Sequence, residues 1–74
     1  MSERLSSITA KKALRKLKKA GFREHHQRGS HLVLKHSDGR MVVLPIHSSD
    51  IPKGTLYNIV VNQSKLSIEE WNNL

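Results

Sequence analysis

Apolar positions along the chain follow two different periods. From Thr9 to Ala20, the residues Ala10, Ala13, Leu14 and Leu17 recur at helical spacing, which predicts an amphipathic helix. Thr9 is placed to cap its start, with Ile8 and Ala13 stapling the chain across the cap. Gly21 falls where a glycine commonly ends a helix. The period then shortens. Phe22 to Arg28 reads as a strand, polar beyond Phe22 and so at an edge or half exposed. Gly29 interrupts it and predicts a turn or bulge. From Ser30 to His36 the chain alternates, with Leu32 and Leu34 on one face and His31, Val33 and Lys35 on the other. Asp38-Gly39, lying between two apolar-rich runs, predicts a hairpin. Arg40 to Ile46 is the returning strand, its Val42, Leu44 and Ile46 sharing a face with Leu32 and Leu34. Pro45 has no N–H for a ladder, so the strand ends there or lies at an edge.

After a loop over His47 to Asp50, Pro52 suits the first turn of a helix running to about Gln63, with Leu56, Ile59 and Val60 as its buried stripe. Gly54 in that first turn costs up to ~1 kcal/mol relative to alanine. Its presence is better explained by a turn, or by something approaching the backbone closely. Ser67 and Glu70 form a capping-box pair, and Leu66 can staple onto Trp71, so a last short helix starts at Ser67. Trp71 reads as an apolar anchor. The order is α-β-β-β-α plus a short C-terminal helix. It predicts an α+β fold in which two helices cover one face of a three-stranded antiparallel sheet, the layout of a double-stranded-RNA-binding domain.

At 74 residues the chain is one domain spanning 1–74, with 1–7 read as a frayed lead-in. A domain of this size buries only roughly 60% of its unfolded surface. With no cysteine, neither disulfides nor thiolate–metal sites reinforce the core. No apolar run approaches the ~18 residues of a membrane helix, and the polar start has no signal-peptide core. The chain therefore reads as an unprocessed cytoplasmic protein with no membrane partner and, when free, a monomer. Charge sharpens the picture. Thirteen Lys and Arg against six Asp and Glu give a net charge of +7. Lys11, Lys12, Arg15, Lys16, Lys18 and Lys19 crowd the polar side of the first helix with no acid among them. Such a face gains nothing from helical ion pairs. It points to a polyanionic partner; the alternative is a solvated basic surface.

Several segments occur in one order: Gly21-Phe22, Gln27-Arg28-Gly29-Ser30-His31, Leu44-Pro45-Ile46-His47, Pro52-Lys53-Gly54-Thr55-Leu56 and Leu66-Ser67-Ile68-Glu69-Glu70-Trp71. Together, over about residues 8–71, they resemble the HicA (YcfA-like) family of toxins. The resemblance implies the toxin of a type II toxin–antitoxin pair, an mRNA interferase that cleaves mRNA and arrests translation. It implies a HicB-type antitoxin as protein partner, and it implies that the histidine of the Gly-Ser-His motif, here His31, is catalytic. The chain departs from the family in three ways. The 62–65 link lacks the glycine many members have, that link is slightly long, and Val60-Val61 stands where a basic residue is common at the second position.

Histidine titrates near neutrality and can move a proton to or from RNA, which carries its own nucleophile in the 2′-OH. Lys and Arg can stabilise the phosphorane without a metal. His31 is therefore expected to be at least partly exposed, on a strand that fixes its position; from spacing alone it is an ordinary exposed strand histidine. Gly29, Ser30 and His47 are candidate supports, Gly29 by admitting a phosphate close to the backbone. Lys11, Lys12, Arg15, Lys16, Lys19, Arg28, Lys35 and Lys53 are candidate RNA contacts. No cofactor or metal is expected: His25, His26, His36 and His47 show no ligand spacing, and the adjacent His25 and His26 should point to opposite faces. Ser30 has no nearby orienting carboxylate and is not read as a nucleophile. Two further readings stay open: a non-catalytic RNA-binding domain, and an orphan toxin that only binds an antitoxin.

Overall fold

A computed structural model of the chain describes residues 4–74. Helix α1 spans Ala10–Lys19, strands β1, β2 and β3 span Phe22–Arg28, His31–His36 and Met41–Pro45, and helices α2 and α3 span Lys53–Tyr57 and Ile68–Asn72. The strands form an antiparallel sheet in the order β1-β2-β3. Leu32, Leu34, Val42 and Leu44 line one face of the sheet and pack with Ala13, Leu17, Leu56, Ile59, Val60 and Trp71 in a single core. The helices thus cover that face, and the architecture is the α+β, double-stranded-RNA-binding-like one.

Thr9 caps α1, its Oγ1 accepting from the Lys12 N–H at 3.3 Å. Gly21 follows the helix with φ +100°, and a Cβ there would lie 2.7 Å from Nε2 of His36. The His36 ring in turn meets Phe22 edge-on, with centroids 5.1 Å apart. At the hairpin, Gly39 takes φ +98° and donates to the His36 carbonyl. Arg40 fastens the hairpin end: it bonds Asp38 through Nε at 2.8 Å, lies over Phe22 and donates to the Ser64 carbonyl. The Ser67–Glu70 capping box forms, and Trp71 is buried.

Two local features differ from the sequence reading. The pairing of β1 with β2 slips between Glu24 and His26, leaving His25 as a bulge. A bulge breaks the strict alternation of a strand. His25 and His26 therefore do not diverge to opposite faces; their rings meet edge-to-face at 5.1 Å. The second helix is not uniformly α. From Asn58 to Gln63 it is a π-helix, and the buried Ser64 directs both its N–H and its hydroxyl to the Ile59 carbonyl, five residues back. Leu56, Ile59 and Val60 are its buried stripe as expected. Each i→i+5 ring encloses one residue more than an α-turn, which takes up length in the long link. The lead-in also makes contacts. Met1, Ser2 and Glu3 lie outside the described residues. Asn72 donates to the Arg4 carbonyl at 2.9 Å, Leu5 packs against the core, and Ile51 donates to the Ile8 carbonyl.

Candidate nucleic-acid interface

One end of the sheet gathers half of the singled-out residues. There β1 ends at Arg28, Gly29 and Ser30 turn the chain, β2 starts at His31 and β3 ends at Pro45. Gly29 holds φ +59°, and its carbonyl accepts from the Gln27 side chain at 2.9 Å. The Ser30 carbonyl accepts from the Ile46 N–H. In register, His31 pairs with Arg28 on one side and Pro45 on the other. Directly paired residues project to the same face, with Cβ atoms about 4.5–5.5 Å apart. Alternation with the buried Leu32 puts His31 on the open face of the sheet, and it is exposed, as is Arg28. Among the described residues no hydrogen bond or ion pair holds the His31 side chain, so nothing there resembles a charge-oriented triad. Lys35 shares the open face but lies four residues along β2, about 13 Å away at strand rise.

The path of the chain brings three more pieces to this end. His47 is exposed in the loop that leaves β3. That loop joins the start of α1 through a bridge between Thr9 and Asp50. The second helix then runs back along β3, since Gln63 reaches the Val43 N–H at 2.7 Å and Ser64 reaches Arg40. Its first residue, Lys53, therefore lies toward the Pro45 end and is exposed.

The cations of α1 are not brought to His31. Ala13 and Leu17 bury against the covered face of the sheet, so the exposed Lys11, Lys12, Arg15 and Lys19 look away from it. The sheet stands between that charge and the open face. Lys16 differs from its neighbours. It is half-buried, its Nζ donates to the Trp71 carbonyl at 3.0 Å, and it sits 5.4 Å over the Trp71 ring. That is a packing role at the end of α3, and it withdraws this ammonium from any phosphate. Lys18 pairs with Glu24 at 2.6 Å.

Electrostatic perturbation lies elsewhere. The Arg40 N–H, with help from its guanidinium, holds the Asp38 carboxyl below its usual range, and the Ser67 N–H does the same for Glu70. Both are structural caps. Among the described residues no three His, Asp or Glu side chains gather as a metal site would require, and no helix is long and apolar enough to cross a membrane.

Sequence reasoning passed over Arg4 and Tyr57, which line a cleft with Lys53 and Gly54. Tyr57 is 48% exposed. Its place beside Leu56, on the polar side of an amphipathic helix and four residues after Lys53, was the available signal. Arg4 had none, being part of a polar lead-in.

A search of curated proteins gives no match to the chain. A family model, described as the HicA toxin of bacterial toxin-antitoxin systems, matches residues 10–66. That span covers every strand, α1, α2 and the Gly29-Ser30-His31 turn, and stops short of α3. By this match the chain belongs to the HicA toxin family of bacterial toxin–antitoxin systems.

Proposed function

We propose that the chain is a metal-independent endoribonuclease, the mRNA-cleaving toxin of its pair, with His31 as the catalytic residue. The observation that carries this reading is the exposed His31 on a paired strand, with Arg28 as its direct neighbour on the open face. In the reaction, the substrate's 2′-oxygen attacks the adjacent phosphorus as its proton leaves. The bond to the 5′-oxygen breaks, and that oxygen takes up a proton. The products are a 2′,3′-cyclic phosphate and a 5′-hydroxyl. Neutral His31 accepts the first proton or, as imidazolium, donates the second. His47, at the same end of the sheet, is the candidate for the other transfer. Arg28 stabilises charge on the phosphorane. Gly29 and Ser30 form the turn that sets the start of β2, and Lys53 and Lys35 supply phosphate contacts to either side. Lys11, Lys12, Arg15 and Lys19 add a sequence-independent attraction for RNA. A HicB-type antitoxin is the protein partner, and its docking over the His31 end would silence the site.

Cleavage of a labelled RNA in EDTA tests this reading. Wild type should cut, and a folded His31→Ala variant should not. Equal cutting by both would refute His31 as the catalytic residue. A second reading, RNA binding without catalysis, is favoured by one observation: the α1 cations and His31 lie on opposite sides of the sheet. It predicts salt-sensitive RNA binding by wild type and no cleavage. Loss of both binding and cleavage would leave an orphan that only engages an antitoxin.

A further inference from the structure

The cleft beside the start of α2 has a volume of about 810 Å³, within the range of small-ligand sites. Arg4, Lys53, Gly54 and Tyr57 line it over the apolar Leu5 and Ile68, and none of the described residues lining it is acidic. Its walls come from three separate parts of the chain. Arg4 is held in place through the bond from Asn72 to its carbonyl. Lys53 and Tyr57 stand one helical turn apart.

Gly54 is the telling residue. It is helical, and its φ lies outside the region that favours glycine. A Cβ built on it would meet nothing within 4 Å. Neither backbone conformation nor packing within the chain calls for a glycine, yet glycine weakens a helix relative to alanine. The bare backbone is therefore open to close approach from outside the fold. Two cations call for an anion, and a half-exposed tyrosine offers a flat face to a base.

We infer that this cleft binds one nucleotide of a single-stranded RNA, its base stacked on Tyr57 and its phosphate between Arg4 and Lys53 against the Gly54 backbone. The inference rests on the nuclease reading for its biological role. The cleft lies at the His31 end of the molecule, so a strand crossing the open face beside His31 would reach it by passing round that end. An acidic peptide would satisfy the cations but has no use for the aromatic face.

The test is titration of a fluorescent, 2′-O-methylated single-stranded hexanucleotide into full-length protein carrying His31→Ala. This separates binding from cleavage. Adding Tyr57→Ala should weaken binding by about 5- to 150-fold, the cost of one base–aromatic stack, while Tyr57→Phe should restore it. Arg4→Gln and Lys53→Gln should each flatten the salt dependence by about 0.7 in log–log slope, whereas Lys18→Gln should leave it unchanged. Gly54→Ala should raise the melting temperature and weaken binding together, a pairing that a purely structural glycine cannot produce. Unchanged affinity in Tyr57→Ala and Gly54→Ala would overturn the subsite and leave the nuclease reading standing. Persistent cleavage in His31→Ala would overturn the nuclease reading and leave the subsite standing. Displacement of the RNA by polyglutamate, with the same dependence on Tyr57, would overturn the assignment to a nucleotide.

Discussion

Lys65 is the one described residue other than glycine with positive φ, at 60°. It closes the π-helix: the chain turns there, and the Leu66 N–H returns to the Val60 carbonyl at 3.0 Å. Left-handed backbone costs a residue bearing a Cβ about 1–2 kcal/mol. Replacement by glycine removes that cost but loosens the unfolded chain by about 0.4–1 kcal/mol. The side chain is exposed, so its loss adds little. Taken at the midpoints of these ranges, Lys65→Gly should therefore gain about 0.8 kcal/mol. In a domain of this size that raises the melting temperature by about 2–8 °C. Lys65→Ala is the control, because it loses the same side chain and keeps the strain. Thermal unfolding followed by far-ultraviolet circular dichroism, with urea titrations to verify an unchanged m-value, reads the difference. If the glycine variant melts no higher than the alanine variant, the reasoning from φ is wrong. If it does, this link bears a cost that glycine avoids.

Gly21→Ala should destabilise, because the left-handed cost of about 1–2 kcal/mol, less about 0.4–1 kcal/mol from the stiffer unfolded chain, adds to a clash with the ring 2.7 Å away; His36→Ala in the same chain should recover only the clash, as equilibrium unfolding would show. Lys16→Ala should lower stability by about 1–2 kcal/mol through its charged hydrogen bond and contact with Trp71, whereas Lys12→Ala should leave stability unchanged and only flatten the salt dependence of RNA binding. Asp38 and Glu70 carry lowered folded-state pKa values, from ordinary values of 3.8 and 4.5. Their stabilisation is present above those values and is lost as pH falls through the lowered ones, so acid unfolding should steepen below about pH 4.5 and become shallower in Glu70→Gln.

Where burial imposes a period, the sequence was readable. Leu32, Leu34, Val42 and Leu44 repeat every second residue because one sheet face is covered and the other is open. The same alternation put His31 outside. The misses share a physical cause, which is absence of a pattern to break. β1 beyond Phe22 is polar throughout, so a bulge at His25 disturbs no apolar alternation. Leu56, Ile59 and Val60 fit α and π turns alike, because spacings of three and four are too short to distinguish rings closed at four from those closed at five. Lys16 looks like its neighbours along the helix; only Trp71, 55 residues away, makes it different. Register brings Arg28 to His31, and that too is a tertiary fact, although the Gly29-Ser30 turn between them makes the pairing almost local.

The separation of charge from the candidate catalytic residue has a consequence for how RNA would be handled. On the proposed function, Lys11, Lys12, Arg15 and Lys19 would draw RNA to the helix side, whereas His31 and Arg28 would act on the open side. A strand held flat on either side would not serve both. One that bends round the end, past the 46–52 loop, meets both sets and passes the cleft at Lys53 and Tyr57 on the way. A flexible single strand can make that bend, whereas a stiff duplex cannot make it within a body whose principal extents are 38, 29 and 17 Å. The fold is that of duplex readers, but on the proposed function the position of His31 favours a single-stranded substrate. Competition should reveal this directly: at equal nucleotide concentration, an unstructured RNA should inhibit cleavage of a labelled single strand far better than a perfect duplex. Both competitors should still show salt-dependent binding through α1. Equal inhibition by the duplex would mean that capture and cleavage share one face, contrary to the placement of His31.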